Sequence, residues 1–190
     1  MNVTNEDAVQ SLAQVEQTIA RTRKAVAAGY SSPLLILWGL LLVAAYTTTH
    51  FYISYAATIF WAMSGVGGLG TALIWWWLQR KFPVKEPTNM NWRIWAMWGA
   101  LVLYAFIWLY LLEPQSGRRL NAFFITATMF GYIVMGLWFP VYFMVWLGLA
   151  VTATTLVGFY FLPAYYCLWM AVTAGGLLLG TGLYLHARWR

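Results

Sequence analysis

Residues 57–81 read "ATIFWAMSGVGGLGTALIWWWLQRK". At the centre of this stretch, Gly65, Gly67 and Gly70 spell G-x-G-x-x-G, the spacing of a dinucleotide-binding turn. That turn needs a strand before it, a helix opening in water after it, and a pyrophosphate at the helix N-terminus. Here the glycines lie mid-way along an apolar run whose only charges, Arg80 and Lys81, stand at its end. The peptide N–H groups of such a run are taken by its own helix, and a phosphate would be buried in hydrocarbon without a counter-charge. The stretch reads instead as a membrane-crossing helix with a face of small residues. Ser64, Gly68 and Ala72 recur at i, i+4 and i+8, and Gly176 and Gly180 form a GxxxG further on. Small residues let two membrane helices approach closely. Both stripes are therefore expected to pack inside a bundle, with a contact between copies as the second choice.

The rest of the chain agrees with a lipid solvent. Of 190 residues, 62% are hydrophobic and 8% charged, against about 25% charged in a soluble domain. Six segments approach the roughly 20 apolar residues that span a bilayer: Leu34–Ile53, Ala56–Leu78, Ile94–Leu112, Ala122–Phe139, Val141–Leu162 and Ala164–Leu185. They do not alternate apolar with polar residues, which excludes a β-barrel, and in lipid the backbone must satisfy itself, which makes them helices. The predicted fold is all-α, with six transmembrane helices as three hairpins over 33–190. From Ala122 to Leu162 there is no charge. Two helices with a tight turn near Pro140 fit that length, and a re-entrant segment is the alternative. The turn "LWFPVYF" is so apolar that it is expected at the interface or under protein cover. Residues 1–32 are too long and too mixed for a leader ahead of the first span.

Charge sets the orientation. Arg21, Arg23, Lys24, Arg80, Lys81, Lys85, Arg93, Arg188 and Arg190 fall on one side and only Arg118 and Arg119 on the other. By the positive-inside rule both termini are expected in the cytoplasm. The net charge of +6 is explained by these flanking residues, and no nucleic-acid partner is expected. An internal repeat supports the same topology. Shifting residues 38–80 by 108 onto 146–188 gives 13 identities in 43 positions, where roughly three or four would arise by chance. Trp38 meets Trp146, Trp61 meets Trp169, Gly67 meets Gly175 and Arg80 meets Arg188. Helices 1–2 and 5–6 are then equivalent hairpins.

Catalytic chemistry finds little to work with. The acidic residues Glu6, Asp7, Glu16, Glu86 and Glu113 all lie outside the spans, and His50 and His186 sit at opposite ends of the membrane. The single Cys167 excludes an intrachain disulfide. No enzyme, metal or cofactor is expected, and the lack of intramembrane charge argues against ion-coupled transport. The most polar cluster is "YTTTHFYISY" at 46–55, whose counterpart in the repeat carries Thr154, Thr155, Tyr160, Tyr165 and Tyr166. If the hairpins face each other, Thr47, Thr48, His50, Tyr52, Tyr55, Thr155 and Tyr160 line a shallow aromatic and hydroxyl pocket. The competing reading makes the threonines bond back to their own helices and the tyrosines an interface belt. The three tryptophans of "IWWWLQRK" cover most of a helical turn and read as that belt on the other side.

The N-terminal segment is different in kind. "TNED" at 4–7 is a capping box, with Thr4 as N-cap and Asp7 favourable to the helix dipole. Ala8, Leu12, Val15, Ile19, Thr22 and Val26 then follow at alternating spacings of 4 and 3, a heptad-like stripe. An amphipathic helix in 1–32 would lie on the membrane surface or use Leu12, Val15, Ile19 and Val26 to contact a partner.

"WAMSGVGGLG" at 61–70, "WMAVTAGGLLLG" at 169–180 and the turn prolines Pro114 and Pro163 give an architecture that resembles the HdeD-type short-repeat membrane proteins of bacteria. The resemblance implies a stress- or acid-resistance role with no catalytic residues to carry over. The expected function is a non-catalytic membrane protein acting as a regulatory, stress-related or assembly subunit, alone with lipids, as a homo-oligomer or with a membrane partner. The alternative is a binder or carrier of a small neutral or lipid-like molecule.

Overall fold

The computed structural model describes residues 31–81, 88–111, 116–139 and 141–188, together with Gln14 and Gly29. Among these residues there is no strand, and six helices are long and apolar enough to cross a membrane. We number them α1 (Ser31–Phe51), α2 (Ala56–Lys81), α3 (Thr88–Leu111), α4 (Gly117–Trp138), α5 (Tyr142–Phe161) and α6 (Tyr166–Arg188). A single 3-10 turn, Ile53–Tyr55, links α1 to α2. These are the six spans expected from hydropathy, with α3 and α4 starting further toward the N-terminus than expected, at Thr88 and Gly117. The partner-contact residues Leu12, Val15, Ile19 and Val26 lie outside the described residues.

Helix ends follow local chemistry. Ser116 caps α4, its Oγ accepting from the Arg119 N–H at 3.4 Å, because the first N–H groups of a helix have no intrahelical acceptor. At the other end of α4, the Val141 N–H reaches back to Gly136 O at 2.8 Å and the Phe139 N–H to Met135 O at 3.0 Å. That closure makes the connection to α5 a tight turn between two spanning helices, and Val141 is buried there. Helix α5 stops where Leu162 N–H bonds Gly158 O, just before Pro163, which has no N–H to continue a helix.

The helices pack as antiparallel neighbours through glycines. Trp38 of α1 lies over Gly67 of α2, where an added methyl would stand 2.6 Å from the ring, and Trp38 Nε1 donates to Thr71 Oγ1 at 3.1 Å. Helix α6 returns along the other side of α1. Gly182 meets Leu35 and Ile36, Leu179 meets Gly39, and Gly175 meets Val43, while Ser32 Oγ donates to Gly182 O at 2.9 Å. The first and last spans thus close on each other. Helices α4 and α5 interlock through Gly136 against Val145 and Gly148 against Ile133. Gly131 of α4 receives Trp98 of α3, and Trp75 of α2 meets Trp95 of α3 edge to face. The core is built by α1, α4, α5 and α6, with Leu35, Leu42, Tyr46, Met129, Leu147, Val151, Met170, Ala174 and Leu178 in one cluster.

Burial is uneven. The apolar stretch of α6 is 39% buried and that of α1 33%, but those of α2 and α3 only 6% each. Trp61, Trp76, Trp92, Trp95 and Trp108 stand exposed on these two helices, on surface that faces lipid or a partner.

Two expectations about packing are corrected. Ser64, Gly68 and Ala72 are exposed, and a methyl on Gly68 would meet nothing. The face of α2 that packs is the adjacent one, Gly67, Gly70 and Thr71, because the bulky Trp38 and Leu37 of α1 need that space. Likewise Gly176 and Gly180 meet no neighbour, while Gly175 and Gly182 take the close contacts with α1. A four-residue spacing of small residues marks a smooth stripe, but which side of the helix faces a neighbour is set by where the large side chains of that neighbour fall.

Of the residues matched by the 108-residue shift, Gly67 and Gly175 both pack against α1, but the tryptophans do opposite jobs. Trp38 is packed and hydrogen-bonded, whereas its counterpart Trp146 is 72% exposed. Trp61 is 74% exposed, whereas Trp169 donates its Nε1 to Thr154 O at 2.8 Å. The second hairpin contains α5 and α6 of the core, and the first contains the peripheral α2, so identical side chains meet different surroundings. Helix α6 also carries a π turn at Ala171–Gly175 with no equivalent in α2. It lies against α1, since Gly175 meets Val43 and Ala174 is fully buried.

Candidate functional site

Thr155 is fully enclosed, and its hydroxyl donates to Val151 O at 2.7 Å. Thr154 and Thr173 likewise bond back to carbonyls of their own helices, the local bond that Thr makes readily in a helix. Tyr52, Tyr55 and Tyr160 stand 60% or more exposed. Thr48 is exposed, Thr47 and His50 are half-buried, and the His50 ring rests edge-on against Phe51. Of these seven residues, Thr155 is thus an enclosed hydroxyl, Tyr52, Tyr55 and Tyr160 are open aromatic side chains, and Thr47, Thr48 and His50 are half-buried or exposed.

The polar convergence lies beside them. Asn121, in the second turn of α4, accepts from two tyrosines on two other helices. Tyr46 Oη of α1 donates to Asn121 Oδ1 at 2.5 Å, and Tyr166 Oη of α6 donates to the same oxygen at 3.1 Å. Both tyrosines are buried, at 1% and 4% exposure. Away from water each hydroxyl needs a partner, and one carboxamide oxygen with two lone pairs serves both. The Tyr46 ring is held edge-on against Phe60 of α2, centroids 5.2 Å apart. Four helices thus meet at this end of the bundle.

Three features surround the node. Thr49, one turn beyond Tyr46, is 2% exposed, and its Oγ1 has no hydrogen-bond partner. It continues the buried stripe of α1 through Leu42, Ala45 and Tyr46. Arg118, three residues before Asn121, lies exposed with its guanidinium 5.1 Å from the centroid of the Phe159 ring, and it is near enough to act electrostatically on the Tyr166 hydroxyl. Cys167, next along α6, is half-buried.

Tyr46 and Tyr166 belong to the polar runs noted in the sequence, but Asn121 reads there as the last residue of the loop "EPQSGRRLN". Its position five residues after the Ser116 cap is the signal that places it within a helix, and only the packing of α1 and α6 shows that its side chain faces inward. Among the described residues no group of three His, Cys, Asp or Glu side chains gathers to hold a metal ion. No family model, curated protein or solved structure matches the chain.

Proposed function

We propose that this chain is a non-catalytic integral protein of the bacterial inner membrane, serving as a regulatory, stress-related or assembly subunit with both termini in the cytoplasm. The observation that carries this reading is where the polar side chains of the spans go. Ser32 to Gly182, Trp38 to Thr71, Trp169 to Thr154, and Tyr46 and Tyr166 to Asn121 all tie one helix to another. Interhelical hydrogen bonds of this kind hold membrane bundles together, so polar groups that an enzyme would aim at a substrate are here used for assembly. The nearly bare α2 and α3 add lateral surface for a membrane partner or a second copy, and the N-terminal stripe Leu12, Val15, Ile19 and Val26 supplies a cytoplasmic contact. A duplicated hairpin ancestor for α1–α2 and α5–α6, and kinship with HdeD-type proteins, fit the same reading.

The test is affinity purification of the full chain in gently released nanodiscs, read by native mass spectrometry. A complex with another polypeptide is expected, and it should be lost on deletion of residues 1–28 while the helical content of the remainder persists. A bare monomer from both forms would overturn the subunit reading.

A further inference from the structure

We propose that α6 has two registers against α1, and that the π turn at Ala171–Gly175 is the joint at which it passes from one to the other. A π turn holds one residue more than the regular helix would. Buried residues fall at Tyr166, Met170, Ala174, Leu178 and Gly182, always four apart. In a regular helix, at about 100° per residue, that stripe would drift by about 160°, and the extra residue returns about 100° of it. The part of α6 before the turn is tied to α5 and α4, by Trp169 Nε1 on Thr154 O and Tyr166 Oη on Asn121 Oδ1. The part after it is tied to α1, by Ser32 Oγ on Gly182 O and by the close contacts of Gly175, Leu179 and Gly182. The π turn reconciles two separately anchored halves.

The sequence after the turn makes a slip of one position nearly conservative. If the first half stays in place and the turn becomes regular helix, each later position is taken by the residue before it. Leu177 then takes the place of Leu178, and Leu178 that of Leu179 against Gly39, so the leucine contacts survive. Gly175 turns to the place of Gly176, where an added methyl meets nothing. The difference falls on α1. Ala174 takes the place of Gly175 and Thr181 that of Gly182, positions where a β-carbon would stand 3.0 and 2.9 Å from the backbone nitrogens of Val43 and Ile36. Tyr184 replaces the buried Leu185. The second register thus keeps the leucines but pushes α1 away, most at the end where α1 begins. Inside the turn, Thr173 donates its hydroxyl to Trp169 O at 2.8 Å, a local bond that competes with the regular backbone ladder and favours the π form. The device is a seam between α1 and α6, shut in one register and loosened in the other. It concerns this helix pair alone and does not rest on the subunit reading.

The test is a distance measurement by pulsed electron paramagnetic resonance on the full chain in nanodiscs. With Cys167 replaced by Ala, spin labels go on Leu40→Cys of α1 and Leu183→Cys of α6, both half exposed. A turn of about 100° swings the second label around its helix, so two registers give two distances. The chain with α6 otherwise unaltered should show one main distance. Gly175→Ala penalises only the π register, and it should raise the share of the second distance about tenfold. Thr173→Val removes the bond that favours the π form and should raise it as well. Deletion of Val172, which is 75% exposed and takes little packing with it, makes a regular helix with the same glycines on α1 and should leave only the first distance. If neither substitution raises a second distance, or if one persists after the deletion, α6 has a single register and the proposal falls. Should the deleted chain fail to fold, the two substitutions decide alone.

Discussion

Gly39 of α1 and Leu179 of α6 approach so closely that a methyl group on Gly39 would stand 2.6 Å from the Leu179 backbone nitrogen. The obstacle is backbone, so neither helix can yield by turning a side chain. Gly39→Ala should therefore force α1 and α6 apart and destabilise the bundle by about 1–3 kcal/mol. Gly68→Ala, whose methyl would meet nothing, should leave stability unchanged. Reversible unfolding in mixed micelles measures both, and an equal loss for the two would contradict the contact.

Trp38 and Gly67 form a pair whose interaction has a sign. A methyl at Gly67 runs into the Trp38 ring, so Gly67→Ala alone should destabilise. Trp38→Phe removes the bond to Thr71, worth about 1 kcal/mol in a membrane protein, but shortens the side chain. Gly67→Ala should then cost less in the Trp38→Phe background than in the unaltered chain. A double-mutant cycle reads the difference, and strict additivity would mean that the two residues do not touch.

Asn121 serves two buried hydroxyls with one oxygen. Asn121→Leu leaves both without a partner, at about 1–3 kcal/mol for each. Tyr46→Phe and Tyr166→Phe each remove a donor without leaving one orphaned, and should cost less. The triple variant should recover much of the loss of Asn121→Leu. If Asn121→Leu proves no worse than either tyrosine change, the shared acceptor is not what holds this end together.

Gly117 and Gln79 are both exposed at ends of spans, and the charge distribution assigns them to opposite sides of the membrane. With Cys167 replaced by Ala, Gly117→Cys should react with an impermeant maleimide in intact cells. Gln79→Cys should react only after the membrane is opened. The reverse pattern would invert the proposed orientation.

Much of this architecture was legible in the residues. The number of spans and their approximate ends follow from the length of apolar runs, because lipid leaves the backbone no choice but the helix. The rejection of the glycine motif as a nucleotide turn follows from its flanks in the same way. The stripes of small residues show where that reading stops. Ser64, Gly68 and Ala72 form a smooth line by spacing alone, but spacing is a property of one helix, and packing is a property of two.

The candidate site divides along the same boundary. That Tyr46 and Tyr166 are polar groups near membrane ends is written in the sequence. That they share Asn121, 75 and 45 residues away, is decided only when α1, α4 and α6 come together. Hydropathy is a local, one-dimensional quantity, summed along the chain, so it determines how many helices cross the membrane. In lipid all the apolar faces are nearly equivalent to the solvent. The choice of which face turns inward falls to shape and to a few hydrogen bonds between distant residues, which only the tertiary structure brings within reach.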